Sequence, residues 1–177
     1  GFAPPRGGSK SIAMTSRITD VFISGGGIAG LVTARLLALR GHSVVLADPA
    51  PPAAAADAKG SDLRSTAFLL PAKRLLEEAG VWDALGGSAT PLDALRIIDT
   101  VGWPPEVRAE RVFRSNELSG DPFGWNLPNW LTRNVLTELL GQDEHVTLKL
   151  GTGFKRMLQR SSGVRVWLTD GTQIETR

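Results

Sequence analysis

TDVFISGGGIAGLVTARLLALRGHSVVLAD, residues Thr19–Asp48, opens on one short apolar run and closes on another. The first, Asp20–Ser24 (DVFIS), has the length and continuous apolarity of a buried parallel strand. Gly30–Arg40 (GLVTARLLALR) reads as a helix that is apolar on most faces, with Arg35 and Arg40 as its main polar outlets. Gly41 stops it where a left-handed cap is wanted. His42–Ala47 (HSVVLA) is a second buried strand, ended by Asp48 and Pro49. Strand, glycine turn, helix, glycine and strand make one βαβ unit.

The turn in that unit, Gly25-Gly26-Gly27-Ile28-Ala29-Gly30, satisfies G-x-G-x-x-G. Glycine-rich loops are common, so the string gains its meaning from its surroundings: a strand before it, a helix after it, and Asp48 at the end of the next strand. Each residue then has a task. Gly25 allows the tight exit from the strand, Gly27 lets backbone approach a pyrophosphate, and Gly30 permits close helix–sheet packing. The free N–H groups around Ile28 and Ala29, with the helix dipole behind them, favour phosphate charge. Asp48 can accept hydrogen bonds from both hydroxyls of an adenosine ribose, and would repel a 2′-phosphate. The reading is an adenine-dinucleotide site, and NADP is not its ligand. A P-loop is a poor alternative, because Leu31 follows Gly30 where a phosphate-binding lysine would be needed.

Outward from this unit, Pro49–Lys59 (PAPPAAAADAK) is a surface loop, since its prolines forbid regular structure. Pro71–Ala79 is helical with a tolerated N-terminal proline, Gly80 ends it, and Val81–Leu85 continues as a short helical turn. Leu92–Asp99, Arg111–Ser115 and Phe123–Leu127 read as strands between Pro/Gly punctuation, consistent with one small antiparallel sheet inserted into the α/β layer. Leu131–Leu140 has helical spacing and ends at Gly141; Val146–Leu150 is a return strand. Val164–Leu168 and Gln173–Thr176 flank Asp170-Gly171, a hairpin turn signal. Gly1–Ser16 lacks the apolar stretch of a secretory signal and reads as a disordered tail, with Met14 as the natural start.

Composition narrows the partners. With 20 Lys+Arg against 18 Asp+Glu and no basic stripe, nucleic-acid binding has no electrostatic footprint. The absence of cysteine excludes disulfides and thiolate metal sites and fits a reducing, cytoplasmic compartment. His42 and His145 are the only histidines and lie in no metal-ligand pattern, so no metal is assigned. No apolar run reaches membrane-spanning length.

Three segments carry a resemblance to known families. Gly25–Asp48 is similar to the extended FAD fingerprint of glutathione-reductase-like flavoproteins, with Ala34, Leu37, Ala38, Gly41 and Val44 at that spacing. SDLRSTAFLLPAKRLLEEAGVWDAL, Ser61–Leu85, resembles the D-x-R-x-x-A-L…LL-x-x-x-G-x-W segment of FAD-dependent aromatic-ring hydroxylases, the class A flavoprotein monooxygenases. The similarity is greatest to the 2-polyprenyl-6-methoxyphenol hydroxylase group of ubiquinone biosynthesis. FGWNLPNWLTRNVLTELL, Phe123–Leu140, resembles the same group's segment leading to the helix beside the flavin.

That resemblance implies an FAD-type Rossmann α/β fold in parts: an N-terminal tail (1–18), the first FAD-binding segment (19–90), the start of a substrate-domain sheet (91–128) and a return to the FAD-binding domain (129–177). It also implies bound FAD, NADH or NADPH as transient reductant, and O₂ delivering a hydroxyl to an aromatic or prenylated phenol. Arg64 would lie against the FAD pyrophosphate or ribityl chain, its planar cation suiting phosphate. Arg133 is a second cofactor candidate, because relatives carry arginine where this chain has Trp130. Trp82 and Trp125 read as packing residues. Asp170-Gly171 sits in the hairpin without the context of the family's later D-G segment, and neither that segment nor G-D-A-x-H occurs in these 177 residues, so the chain reads as an N-terminal part, and no catalytic acid or base is assigned. A polyprenyl substrate would bring peripheral contact with the inner membrane, although no amphipathic anchor is visible. Two alternatives stay open: another FAD-dependent oxidoreductase on the same scaffold, or a non-catalytic fragment that holds no flavin. An NAD-binding dehydrogenase domain is a third.

Overall fold

A computed structural model describes residues 18–118 and 120–177. The tail read at Gly1–Ser16, including Met14, lies outside the described residues. The elements run β1 (Val21–Ser24), α1 (Ile28–Ala38), β2 (Val44–Asp48), β3 (Ser65–Leu69), α2 (Leu70–Glu78), α3 (Trp82–Leu85), β4 (Thr90–Pro91), β5 (Ala94–Val101), β6 (Glu106–Arg114), β7 (Gly124–Pro128), α4 (Asn129–Gly141), β8 (Val146–Leu150), β9 (Phe154–Arg160), β10 (Gly163–Leu168) and β11 (Gln173–Thr176).

The centre is a parallel sheet in the order β1-β2-β8, with Val44 opposite both Val21 and Val146. The order matches strands 3-2-1 of a dinucleotide-binding sheet. Strand alternation sorts its side chains into two faces. Val44 and Leu46 join Leu31, Val32, Leu136 and Leu140 of α1 and α4 in one core; Val45 and Ala47 turn the other way, towards Val166, Leu168 and Ile174. The latter belong to an antiparallel meander, β11-β10-β9, that covers the second face. A parallel strand buried on both faces must be apolar at every position, which is why VVLA reads as a continuous run.

Helix ends follow the glycines. Gly41, at φ +82°, lets its own N–H reach Ala38 O and the His42 N–H reach Leu37 O, which closes α1. Gly80, at φ +74°, does the same for α2, with the Val81 N–H on Leu76 O. Arg35, a polar outlet of α1, is not free: it pairs with Asp143 at 2.6 Å and donates to Ala79 O, tying α1 to the ends of α2 and α4. Trp82 and Trp125 pack edge to face at 5.6 Å between centroids, with the Lys73 ammonium over both rings.

The single inserted sheet expected from Leu92–Asp99, Arg111–Ser115 and Phe123–Leu127 is not formed. β5 and β6 pair only with each other, as a long hairpin; β7 pairs with β3 and β4 in a separate three-stranded sheet. At Gly124 a Cβ would collide with the backbone of Phe68 and Leu69, so β7 lies closer to β3 than any other residue would permit. The hairpin is held by cross-strand ion pairs, Arg96 with both carboxylate oxygens of Glu110 and Arg108 with Asp99.

Candidate functional site

The glycine turn, Asp48 and Arg133 gather at the carboxyl ends of β1 and β2, where ligands bind in open α/β sheets. Gly25 leaves β1 with φ +118°, a conformation that only glycine adopts without strain, and its N–H bonds to Ala47 O at 2.8 Å. Gly26 sits against the next strand: a Cβ there would come within 2.9 Å of the Asp48 Cβ. Gly30 packs its α-carbon onto the turn, and a Cβ would collide with the Gly25 carbonyl oxygen. Gly27 differs from all three. Its φ of −72° suits any residue, and a Cβ would meet nothing within 4 Å. What glycine supplies there is open space in front of a helix.

That helix is α1, which begins at Ile28 directly behind the space. Its first N–H groups have no intrahelical acceptor, as at any helix start. No side chain caps it, and its first turn holds no acidic residue. Open space, uncapped N–H groups and an unopposed dipole fit a phosphate. Ile28 and Ala29 thus contribute backbone. Asp48 stands beside the turn, its Oδ2 accepting the Gly26 N–H at 2.6 Å and its Oδ1 the Ala50 N–H at 2.7 Å. A carboxylate has about four acceptor sites, so two remain for a diol. The residues present therefore fit an adenine dinucleotide.

Arg133 lies in the same cluster, brought there by α4. Its Nε donates to Gly26 O at 2.8 Å and its Nη2 to Ala50 O at 3.0 Å, with Nη2 3.9 Å from Asp48 Oδ1. Arg64 is placed differently. Its side chain is 83% exposed and forms a two-pronged pair with Asp62, Nε and Nη2 each at 2.8 Å. The hydrogen bonds from Arg64 and then Asn129 hold the Asp62 carboxyl well below the usual carboxylate range, and the same pair raises the Arg64 guanidinium.

Asp62 and Asn129 were not singled out by sequence reasoning. Asn129 Nδ2 donates to Asp62 at 3.0 Å, and the Thr66 hydroxyl donates to Asn129 Oδ1 at 2.6 Å. Backbone bonds join the same segments, Asn129 N–H to Arg64 O and Trp130 N–H to Asp62 O. The loop before β3 is thereby anchored to the first turn of α4. The only signal for Asp62 in the sequence is its D-x-R spacing from Arg64; for Asn129 there is none, because the contact spans 67 residues.

Comparison with known proteins bears on the family and the fold. Residues 20–114 match the family of FAD dependent oxidoreductases, and the chain belongs to that family. Among characterised relatives, ubiquinone hydroxylase UbiL of Rhodospirillum rubrum is 32% identical over 174 residues, 98% of this chain and 39% of that protein. The 3-demethoxyubiquinol 3-hydroxylase of Escherichia coli is 31% identical over 77% of this chain and 34% of its own length. The chain thus spans well under half of the relatives it matches. Solved structures share the fold: p-nitrophenol 4-monooxygenase PnpA from Pseudomonas putida superposes with a TM-score of 0.68 at 20% identity, over 90% of this chain and 39% of that one. The flavin-dependent monooxygenase PieE, solved with FAD and substrate, gives 0.68 at 22% identity, over 91% and 29%. Among the described residues no helix is long and apolar enough to cross a membrane.

Proposed function

We propose that this chain forms the adenosine-diphosphate half of an FAD site, and that the whole protein is a flavin-dependent monooxygenase hydroxylating an aromatic ring. The observation that carries the cofactor reading is the uncapped start of α1 facing the open space at Gly27, with Asp48 alongside. The relatives' names support the hydroxylase reading, and the D-x-R segment at Asp62–Arg64 adds to it.

In this reading the N–H groups at Ile28–Gly30 hold the diphosphate, Asp48 holds the adenosine ribose, and Arg64 contributes a fixed cation at the mouth of the site. Arg64 is suited to this because two of its donors are committed to Asp62, which orients the fork and leaves the other edge free. When bound, the flavin supplies the redox chemistry, using NADH or NADPH as electron source and O₂ as oxidant. The chain's own contribution is binding and orientation. The substrate is a phenol, of the prenylated kind by analogy with the relatives, and a lipophilic tail would bring the protein to a membrane surface.

The test is stepwise. The full-length protein should purify yellow and rebind FAD after stripping. It should then consume NAD(P)H with O₂ uptake only when a phenol is present. Flavin binding without phenol-dependent uptake would leave another oxidoreductase of the family; a colourless protein that takes up no FAD would remove the cofactor reading. Co-sedimentation with liposomes tests the membrane contact, and a protein that stays in the supernatant argues against it.

A further inference from the structure

Asp48 and Arg133 share the backbone of two residues between them. Gly26 gives its N–H to Asp48 Oδ2 at 2.6 Å, and its carbonyl accepts Arg133 Nε at 2.8 Å. Ala50 repeats the pattern from the far side, N–H to Asp48 Oδ1 at 2.7 Å and carbonyl from Arg133 Nη2 at 3.0 Å. Each of the two residues thus has its N–H on the acid and its C=O on the base. The two charged groups are themselves 3.9 Å apart and both largely buried. Gly26 belongs to the glycine turn and Ala50 to the loop after β2, so this arrangement fastens one to the other across the carboxylate.

We propose that Arg133 is a positioning residue for the adenosine ribose: it fixes the two residues, Gly26 and Ala50, whose N–H groups aim the Asp48 carboxylate, and does not itself grip the cofactor diphosphate. The inference rests on the dinucleotide reading of the site. Arginine suits the task because a planar fork presents donors at a fixed angle to two separate carbonyls, which a lysine ammonium on a flexible stem does not. The stem is rooted in a rigid element. α4 buries Leu136 and Leu140 fully, and its Thr132 hydroxyl donates to Pro128 O at 3.0 Å. Without the guanidinium, the Gly26 and Ala50 carbonyls lose their donors and the turn separates from the loop. Asp48 then keeps its charge but loses the frame that holds both of its oxygens.

The experiment compares ADP with 2′,3′-dideoxy-ADP on flavin-free full-length protein, by calorimetry. The unaltered protein should bind the dideoxy ligand about 10- to 100-fold more weakly, the loss of charge-assisted hydrogen bonds to one carboxylate. In Arg133→Gln and Arg133→Lys that ratio should fall to about 3 or less, chiefly through weaker ADP binding. A ratio taken on one sample is unaffected by the fraction of protein that is active, and the lysine variant keeps charge and stem should the glutamine one misfold. Equal weakening of both ligands, with the ratio preserved, would mean that Arg133 grips the diphosphate and would overturn the inference. So would unchanged binding of both. If the unaltered protein binds neither ligand, the cofactor reading fails and this inference with it; an intact ratio in both variants defeats the inference alone.

Discussion

Two alanine substitutions three residues apart should have opposite consequences. At Gly30 a Cβ has no room, because the atom it meets is the Gly25 carbonyl oxygen, backbone that belongs to a turn with φ +118°. Neither partner can rotate away, so α1 must lift from β1. Overpacking of this kind costs about 3 kcal/mol, near the upper end for an inserted methyl group, since the obstacle is backbone. For a chain of this size that is a fall in Tm of roughly 6–12 °C. At Gly27 the same methyl group meets nothing within 4 Å, and φ is already −72°. Loss of backbone freedom in the unfolded state favours alanine by about 0.4–1 kcal/mol, and the poorer N-cap opposes it by a similar amount. Gly27→Ala should therefore melt within about 3 °C of the unaltered protein.

Its effect falls on the ligand. The methyl group would occupy the space assigned to a phosphate and displace it from at least one N–H. One charge-assisted hydrogen bond is worth about 1.5–3 kcal/mol, or a ~10- to 100-fold rise in the Kd for FAD. Thermal melting by circular dichroism and flavin titration by fluorescence quenching measure the two arms separately. A Gly27→Ala protein of normal melting temperature and normal FAD affinity would refute the placement of the diphosphate in front of α1. A Gly30→Ala protein of normal melting temperature would refute the rigidity of the turn.

Other outcomes follow from packing and charge. Arg35→Ala leaves Asp143, whose side chain is 8% exposed, without its partner; denaturant unfolding should show a loss of about 3 kcal/mol, and Arg35→Ala with Asp143→Ala should recover part of it. Leu136→Ala opens a cavity under the parallel sheet and should cost about 2–5 kcal/mol in the same assay. Asp62 titrates below its ordinary value of 3.8 because Arg64 and Asn129 bond its charged form, so its stabilising contribution is present above that value and is lost as pH falls below it. Melting temperature should therefore decline below about pH 4 more steeply in the unaltered protein than in Asp62→Asn.

Most of the parallel layer was legible because its signals are local. Continuous apolar runs, the glycine turn and Gly41 specify β1, α1 and β2 within a few residues, and β8 announces itself as VTLKL. What escaped depends on distant partners. β9 (FKRMLQR) is exposed at every position and shows no apolar alternation; it is a strand only because β10 pairs with it. β6 begins five residues before the expected Arg111, since Glu106, Arg108 and Glu110 resemble a solvated loop until Asp99 and Arg96 are opposite them. β3, within Ser61–Leu85, was read for its motif and not as a strand, and its partner β7 lies more than fifty residues away.

The site divides along the same line. The tasks of Gly25 and Gly30 follow from steric requirements of the turn itself, and Asp48 from its offset at the end of a strand. Arg64 and Arg133 are both cations that the family resemblance offers for the cofactor, and sequence spacing offers no way to tell them apart. Burial does. Arg64 keeps one edge of its guanidinium in solvent, so a ligand can reach it with little reorganisation. Arg133 has Nε and Nη2 on backbone carbonyls and is 21% exposed, so drawing it onto a phosphate would break two hydrogen bonds worth about 0.5–1.5 kcal/mol each before any contact was gained. Of two arginines with equal charge, the exposed one keeps donors available to an incoming anion, and the more enclosed one is committed to the Gly26 and Ala50 carbonyls.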